Sequence, residues 1–183
     1  MLVKLGGARA AGLLINTLVV HRPDDEAIRS LVAQYRAYPV AMRADGELSD
    51  TLRTGIEVLT DREKGQDRAA VLICPGDQPL LRLDVIKALL DSWKHGAVAV
   101  RPVYRDAPEQ PGHPLLLDRT LWGYAAELRG DSGFAPVLEA RGITVRTIPI
   151  GGSNPDVDTQ ADLEALDLIP GVTAELRTPE ALQ

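Results

Sequence analysis

The chain has 183 residues and a mass of 19.7 kDa, the size of one compact domain. Hydrophobic residues make up 45% and charged residues 25%, a globular composition that excludes a disordered chain. Twenty basic against 26 acidic residues give a net charge of −6, which argues against nucleic-acid or membrane partners, because both need a basic surface. The single cysteine, Cys74, excludes an internal disulfide framework and fits a reducing, cytoplasmic location.

Apolar runs rich in β-branched residues alternate along the chain with segments of helical period. The runs predict strands at 13–20, 40–42, 69–74, 97–103 and 144–150. The periodic segments predict helices that begin near Asp24, Ser49 and Asp84, with Ser49 as an N-cap. Two more helices are predicted at 121–128 and 134–141, and a last one begins at a cap formed by Thr159. Nearly continuous hydrophobic strands between amphipathic helices predict an α/β fold, with a mostly parallel sheet and helices on both faces. We expect one domain over 1–170 and a tail over 171–183.

Acidic residues follow two of these predicted strands. Asp77 comes directly after strand 69–74, and Asp156 and Asp158 come after strand 144–150. Ligands bind beyond the carboxyl ends of the strands in an open parallel sheet, and Mg²⁺ is typically held by one or two carboxylates and substrate phosphates. The alternative interpretation gives Asp77 to a β-turn and the later pair to a helix cap next to Thr159.

Four short motifs follow one another in the order typical of a known family. They are residues 74–80 (CPGDQPL), 112–117 (GHPLLL), 128–133 (LRGDSG) and 156–163 (DVDTQADL). Together with the intervening helices and strands, they make the chain from about residue 13 to 166 resemble the MobA-like NTP transferases, in the branch of molybdenum-cofactor cytidylyltransferases (MocA-like). The resemblance implies a Rossmann-like fold of the nucleotide-diphospho-sugar transferase type.

The resemblance also implies an activity and a metal. A nucleoside monophosphate, most simply CMP from CTP, would pass to the terminal phosphate of molybdopterin with release of pyrophosphate. Asp77 and Asp156 carry over as catalytic, Mg²⁺-binding carboxylates, with Asp158 as a neighbouring alternative ligand. The metal would neutralise charge on the α-phosphate and the leaving group.

The acceptor molecule would lie against the second and third motifs. Gly112, His113 and Pro114 carry over as binding residues, with Asp131 nearby in the same pocket. A purely structural role for His113 and a helix N-cap role for Asp131 are the alternatives. Cys74 is interpreted as a small buried hydrophobe, because no base lies near it in the sequence.

The N-terminal segment departs from the family pattern. The family's glycine-rich loop, which carries Arg and Lys, has no counterpart, so we expect a shortened domain. A second register makes residues 6–12 a degenerate phosphate loop with Arg9 as a binding residue, although a glycine-rich turn with Arg9 in solvent fits the short spacing better. One lost donor to developing charge costs about 2.7–4 kcal/mol, so this polypeptide is expected to be impaired or inactive as a transferase. The two explanations are a true start upstream of Met1 and a degenerate paralogue.

Three functions follow from these observations. The first is a Mg²⁺-dependent nucleotidyltransferase that favours CTP, with a molybdoenzyme or its maturation factor as partner. The second is a non-catalytic module that binds the cofactor in a chaperone-like way. The third is a related sugar-nucleotide transferase. A bare sheet edge at the shortened end would favour a homo-oligomer.

Overall fold

The computed structural model describes residues 8, 11–43, 45–62, 64 and 69–167. The strands in this part of the chain are β1 (Leu18–His21), β2 (Tyr38–Ala41), β3 (Ala70–Ile73), β4 (Ala99–Tyr104), β5 (Leu115–Asp118) and β6 (Arg146–Ile150). The α-helices are α1 (Glu26–Gln34), α2 (Leu48–Arg62), α3 (Leu83–Lys94), α4 (Phe134–Ala140) and α5 (Gln160–Asp167). A 3₁₀ helix spans Arg119–Glu127.

These strands form two sheets. The smaller sheet pairs β1 with β2 in parallel, and the larger sheet has the order β3-β5-β4-β6. In the larger sheet β4 and β6 are parallel, while β5 is antiparallel to both of its neighbours, β3 and β4. Strands β3, β4 and β6 therefore run in one direction and β5 alone is reversed. The expected α/β fold with a mostly parallel sheet is confirmed.

Helices cover both faces of the larger sheet, as the hydrophobic strands predict. On one face Leu115 and Leu117 of β5 pack with the 3₁₀ helix, α4 and Ile56 of α2. On the other face Leu116, which is fully buried, packs with Val85 and Leu89 of α3. Side chains of a strand point alternately to opposite faces, so one apolar strand serves both cores.

The predicted strand at 13–20 is wrong over its first five residues. The structure begins β1 at Leu18, because only residues 18–21 have a ladder partner in β2. Apolar residues occur at positions 13 and 14 for another reason, because Leu13 and Leu14 pack against the buried Leu81 and Ile86.

Two helix boundaries differ in detail from their predictions. Ser49 is not an N-cap but lies in the first turn of α2, buried to 1% exposure. The segment predicted at 121–128 is a 3₁₀ helix that begins earlier, where the Asp118 side chain accepts a hydrogen bond from the Thr120 amide.

The predicted tail 171–183 lies outside the described residues. Within the described ranges, no helix has the length and apolarity that crossing a membrane requires.

Candidate active site

Strand direction brings three separate segments to one edge of the larger sheet. The carboxyl ends of β3 and β6 lie at this edge, and the segments that carry Asp77 and Asp156 follow them. Because β5 is reversed, its amino end lies at the same edge, and Gly112, His113 and Pro114 directly precede it. The antiparallel strand thus adds the third motif to the edge where the two acidic motifs lie.

A backbone contact joins the two acidic segments. The amide of Val157 donates to the carbonyl oxygen of Asp77 at 2.9 Å. The side chain of Gln78, next to Asp77, donates from Nε2 to Oδ1 of Asp156 at 2.7 Å. The structure therefore brings Asp77 and Asp156, which are 79 positions apart in the sequence, onto touching loops.

The loop after β6 crosses the edge of the sheet to make these contacts. Two strands lie between β3 and β6, so three spacings of about 4.8 Å between neighbouring strands separate them by roughly 14 Å. Arg82 steadies the start of this loop, because its Nη1 donates to the carbonyl oxygen of Gly151 at 2.8 Å. The same guanidinium pairs with Asp84 at 3.0 Å, which raises the pKa of Arg82 and lowers that of Asp84.

The segment before β5 is anchored by its neighbour β4. Gly112 donates its amide to the Pro102 carbonyl at 3.0 Å, and the Tyr104 hydroxyl donates to the His113 carbonyl at 2.9 Å. The His113–Pro114 peptide bond is cis. A Cβ atom on Gly112 would lie 2.7 Å from the Pro102 carbonyl oxygen and 2.9 Å from the Tyr104 ring, so glycine is needed for this close approach.

The imidazole of His113 lies between charges of both signs. Burial lowers its pKa, the positive charge of Arg101 lowers it further, and the carboxylates of Asp156 and Asp77 act in the opposite direction. The net pKa lies below the ordinary histidine value, so the ring is neutral near pH 7. His113 therefore offers this edge a neutral hydrogen-bonding group and not a phosphate-binding cation.

Two other predicted site residues, Asp131 and Arg9, are not seen at this edge of the sheet. Asp131 accepts a long, 3.5 Å contact from the amide of Leu48, and the neighbouring Gly130 carbonyl accepts from Ser49 at 3.0 Å. These contacts place Asp131 at the first turn of α2. It does not cap α4, whose N-cap is Gly133. Arg9 lies outside the described residues.

Asp158 follows Asp156 by two positions and leads into α5. Its amide donates to the side chain of Asp162 at 3.2 Å. Thr159 and Asp162 form a capping box, in which the Thr159 amide donates to the Asp162 carboxylate at 2.8 Å and the Asp162 amide donates to the Thr159 hydroxyl at 3.2 Å. The hydrogen bonds lower the pKa of Asp162. The expected cap at Thr159 is therefore confirmed, while the ligand role of Asp158 stays a prediction.

The donor set suits a hard divalent cation that is shared with a substrate. Asp77 and Asp156 are exposed carboxylates on touching loops, and both lie close enough to act on His113. Among the described residues, no three or more His, Cys, Asp or Glu side chains form a group that could hold a metal ion. Mg²⁺ and Mn²⁺ accept such incomplete sets, because phosphate oxygens and water complete them. The metal assignment itself stays a prediction.

Sequence reasoning missed two polar side chains at this edge. Gln78 and Asn154 hydrogen-bond each other, with Asn154 Nδ2 donating to Gln78 Oε1 at 3.0 Å. Both lie close in the sequence to aspartates that are the predicted ligands, and side-chain amides have no spacing that would mark them as site residues. Cys74 lies beside them and is half-buried, not fully buried as predicted. Burial raises the pKa of its thiol to about 12, which supports the predicted inert role.

Several solved structures have the same fold. Rv0371c from Mycobacterium tuberculosis H37Rv is 25% identical, with a TM-score of 0.70, over 90% of this chain and 81% of that one. A complex of that protein with manganese is also known. The 2-C-methyl-D-erythritol 4-phosphate cytidylyltransferase of Thermus thermophilus is 16% identical, with a TM-score of 0.64, over 91% of this chain and 89% of that one.

A family model provides the stronger comparison, since no curated protein matches the chain in sequence. The model of the MobA-like NTP transferase domain matches residues 6–145, which is more than half of the chain. The match includes Asp77 and the Gly112–Pro114 segment and ends before Asp156. The chain thus belongs to the MobA-like NTP transferase domain family.

Proposed function

We propose that the protein transfers CMP from CTP to the terminal phosphate of a molybdopterin-type acceptor. An oxygen of the acceptor phosphate attacks the α-phosphorus of CTP and forms a new P–O bond. The bond from the α-phosphorus to the bridging oxygen breaks, and pyrophosphate leaves with its electron pair. This chemistry depends on positioning and charge stabilisation, so it needs few reactive groups from the protein.

The meeting of the Asp77 and Asp156 loops carries the proposal. In this proposal the two carboxylates, which the loop contact brings to the same edge of the sheet, form a binding place for a metal–triphosphate. When bound, Mg²⁺ or Mn²⁺ neutralises charge on the α-phosphate and on the departing pyrophosphate. Asp77 and Asp156 would hold the metal, and Asp158 is the alternative ligand two positions further on.

The choice of CTP and of the acceptor has separate support. Similar folds include the cytidylyltransferase from Thermus thermophilus and a CMP:2-keto-3-deoxy-manno-octonic acid synthetase complexed with CTP. The four sequence motifs resemble those of the molybdenum-cofactor branch, which supports this choice of acceptor. In this proposal the segment Gly112–Pro114 contacts the acceptor, with the neutral imidazole of His113 as its hydrogen-bonding group. Asp131, at the first turn of α2, stays a proposed contact of the acceptor. A molybdoenzyme or its maturation factor would receive the product.

Calorimetric titration with CTP, GTP and ATP, each with and without Mg²⁺, tests this function. We expect CTP binding that depends on Mg²⁺ and weakens at least tenfold in Asp77→Asn, because the metal then loses a charged ligand. The exposed Asp91→Asn on α3 is the matched control and should bind as the wild type does.

Other results would replace the proposal with an alternative. Binding of molybdopterin without any response to nucleotides would indicate the non-catalytic module. A response to nucleotide sugars but not to free triphosphates would indicate a sugar-nucleotide transferase.

A further inference from the structure

A chain of three side chains links the loop after β6 to the turn after β3. Asp156 Oδ1 accepts from Gln78 Nε2 at 2.7 Å, and Gln78 Oε1 accepts from Asn154 Nδ2 at 3.0 Å. One amide side chain therefore contacts both ends of the segment 154–156. Gln78 is the middle member and uses its donor and its acceptor at the same time.

Chemistry dictates the direction of this chain. An ionised carboxylate only accepts hydrogen bonds, so Asp156 requires the NH₂ group of Gln78. The carbonyl oxygen of Gln78 then faces Asn154, which must present its own NH₂ group. As a result, Asn154 turns its Oδ1 atom away from Gln78, and the charge at Asp156 sets the orientation of both amides.

The far end of the chain reaches the acceptor side of the edge. Asn154 Oδ1 is buried without a hydrogen-bond partner, and so is Nδ1 of His113. Both residues line the same small cavity between the Asp77 turn and the segment before β5. The three-residue chain thus connects the carboxylate proposed for the metal with the residues proposed for the acceptor.

We propose that Gln78 is a positioning residue for the metal-binding carboxylate of Asp156, an inference that rests on the proposed function. Gln78 engages only Oδ1 and holds the carboxylate in one orientation, so that Oδ2 remains for the cation. Through its carbonyl it also fixes Asn154 as an acceptor toward the cavity. Partners that orient a metal ligand typically change metal affinity by about 10- to 100-fold when they are removed.

Electron paramagnetic resonance of Mn²⁺, titrated in the presence of CTP, tests the proposal by binding and not by turnover. Gln78→Met keeps the length of the side chain and removes both hydrogen bonds. We expect the apparent Mn²⁺ dissociation constant to rise about tenfold, with the unfolding midpoint lowered by only about 2–4 °C. Gln160→Met, on the exposed start of α5, is the matched control and should leave Mn²⁺ affinity unchanged.

A charge-preserving exchange tests whether the carboxylate must stand at position 156. In Gln78→Glu with Asp156→Asn, the carboxylate introduced at position 78 accepts from both neighbouring NH₂ groups, so the hydrogen-bond chain and the net charge are retained. We expect the unfolding midpoint to return to the wild-type value while Mn²⁺ affinity stays weak. Recovery of both quantities would show that Asp156 is not the ligand that Gln78 orients, and would overturn the proposal.

The wild-type titration distinguishes a failure of the role of Gln78 from a failure of the proposed function. If the wild type binds Mn²⁺ with CTP and Gln78→Met binds equally well, the role of Gln78 is overturned and the proposed function stands. If the wild type does not bind Mn²⁺ in the presence of CTP, the proposed function fails, and the role of Gln78 toward the metal fails with it.

Discussion

The two sheets of this protein differ in how completely they are packed. The larger sheet has helices on both faces, and Leu115, Leu116 and Leu117 of β5 are all at most 5% exposed. In the smaller sheet β1 has only partly buried residues before His21, and Tyr38 of β2 is 40% exposed. The segments that carry Asp77, His113 and Asp156 all project from the larger sheet. The tight packing lies in the central strands β4 and β5, while β3 is half-buried and β6 is partly exposed. The candidate site thus rests on a sheet with a rigid centre, and rigid support is what precise positioning requires.

The largest expected effect tests the difference in packing directly. Leu116→Ala empties a fully buried position between β3, β4 and α3, and we expect it to lower the free energy of unfolding by about 3 kcal/mol. Val40→Ala removes apolar volume from the partly buried β2 and should cost less than half as much. Urea unfolding of both variants measures the difference. Equal losses would contradict the comparison.

A smaller loss is expected where the candidate site rests on β4. Gly112→Ala would press a methyl group against the Pro102 carbonyl and the Tyr104 ring, so we expect about 2 kcal/mol of destabilisation from forced shifts. Gly123→Ala, in the 3₁₀ helix, meets no atom within 4 Å and is the control. Thermal unfolding compares the two, and a Gly112→Ala protein as stable as this control would show that the segment is loosely held.

A still smaller loss of stability is expected in the loop that carries Asp156. Thr159→Ala removes the hydroxyl that accepts from the Asp162 amide, and we expect about 1 kcal/mol of lost stability at the start of α5. Hydrogen exchange of the α5 amides should accelerate while exchange of the β5 amides does not. Thr144→Ala, an exposed position before β6, should change neither.

The smallest effect concerns pH. Because the pKa of His113 is lowered in the folded protein, the unfolded chain binds the proton more readily in the window below about pH 6.5. The free energy of unfolding should therefore rise with pH across that window, with a slope below one proton, and then level off. His113→Gln should reduce the slope, whereas the exposed His95→Gln should retain it. An unchanged slope in His113→Gln would contradict the assignment.

Several features of the fold could be predicted from local sequence. The alternation of apolar runs and periodic segments identified most strands and helices, and Thr159 identified the start of α5. The same signal failed at residues 13–17, because leucines that pack in a loop have the same composition as leucines in a strand. Apolarity reports burial, and only a ladder partner makes a strand.

The sequence by itself determined the fold class, the family, and which acidic residues stand beyond strand ends, because local pattern and motif order carry that information. Only the tertiary structure decided that β5 is reversed, which places His113 at the edge with Asp77 and Asp156. It also decided the contacts of Gln78 and Asn154, because hydrogen bonds between residues 76 or more positions apart depend on how loops meet in space. Such contacts leave no periodic signal in the chain.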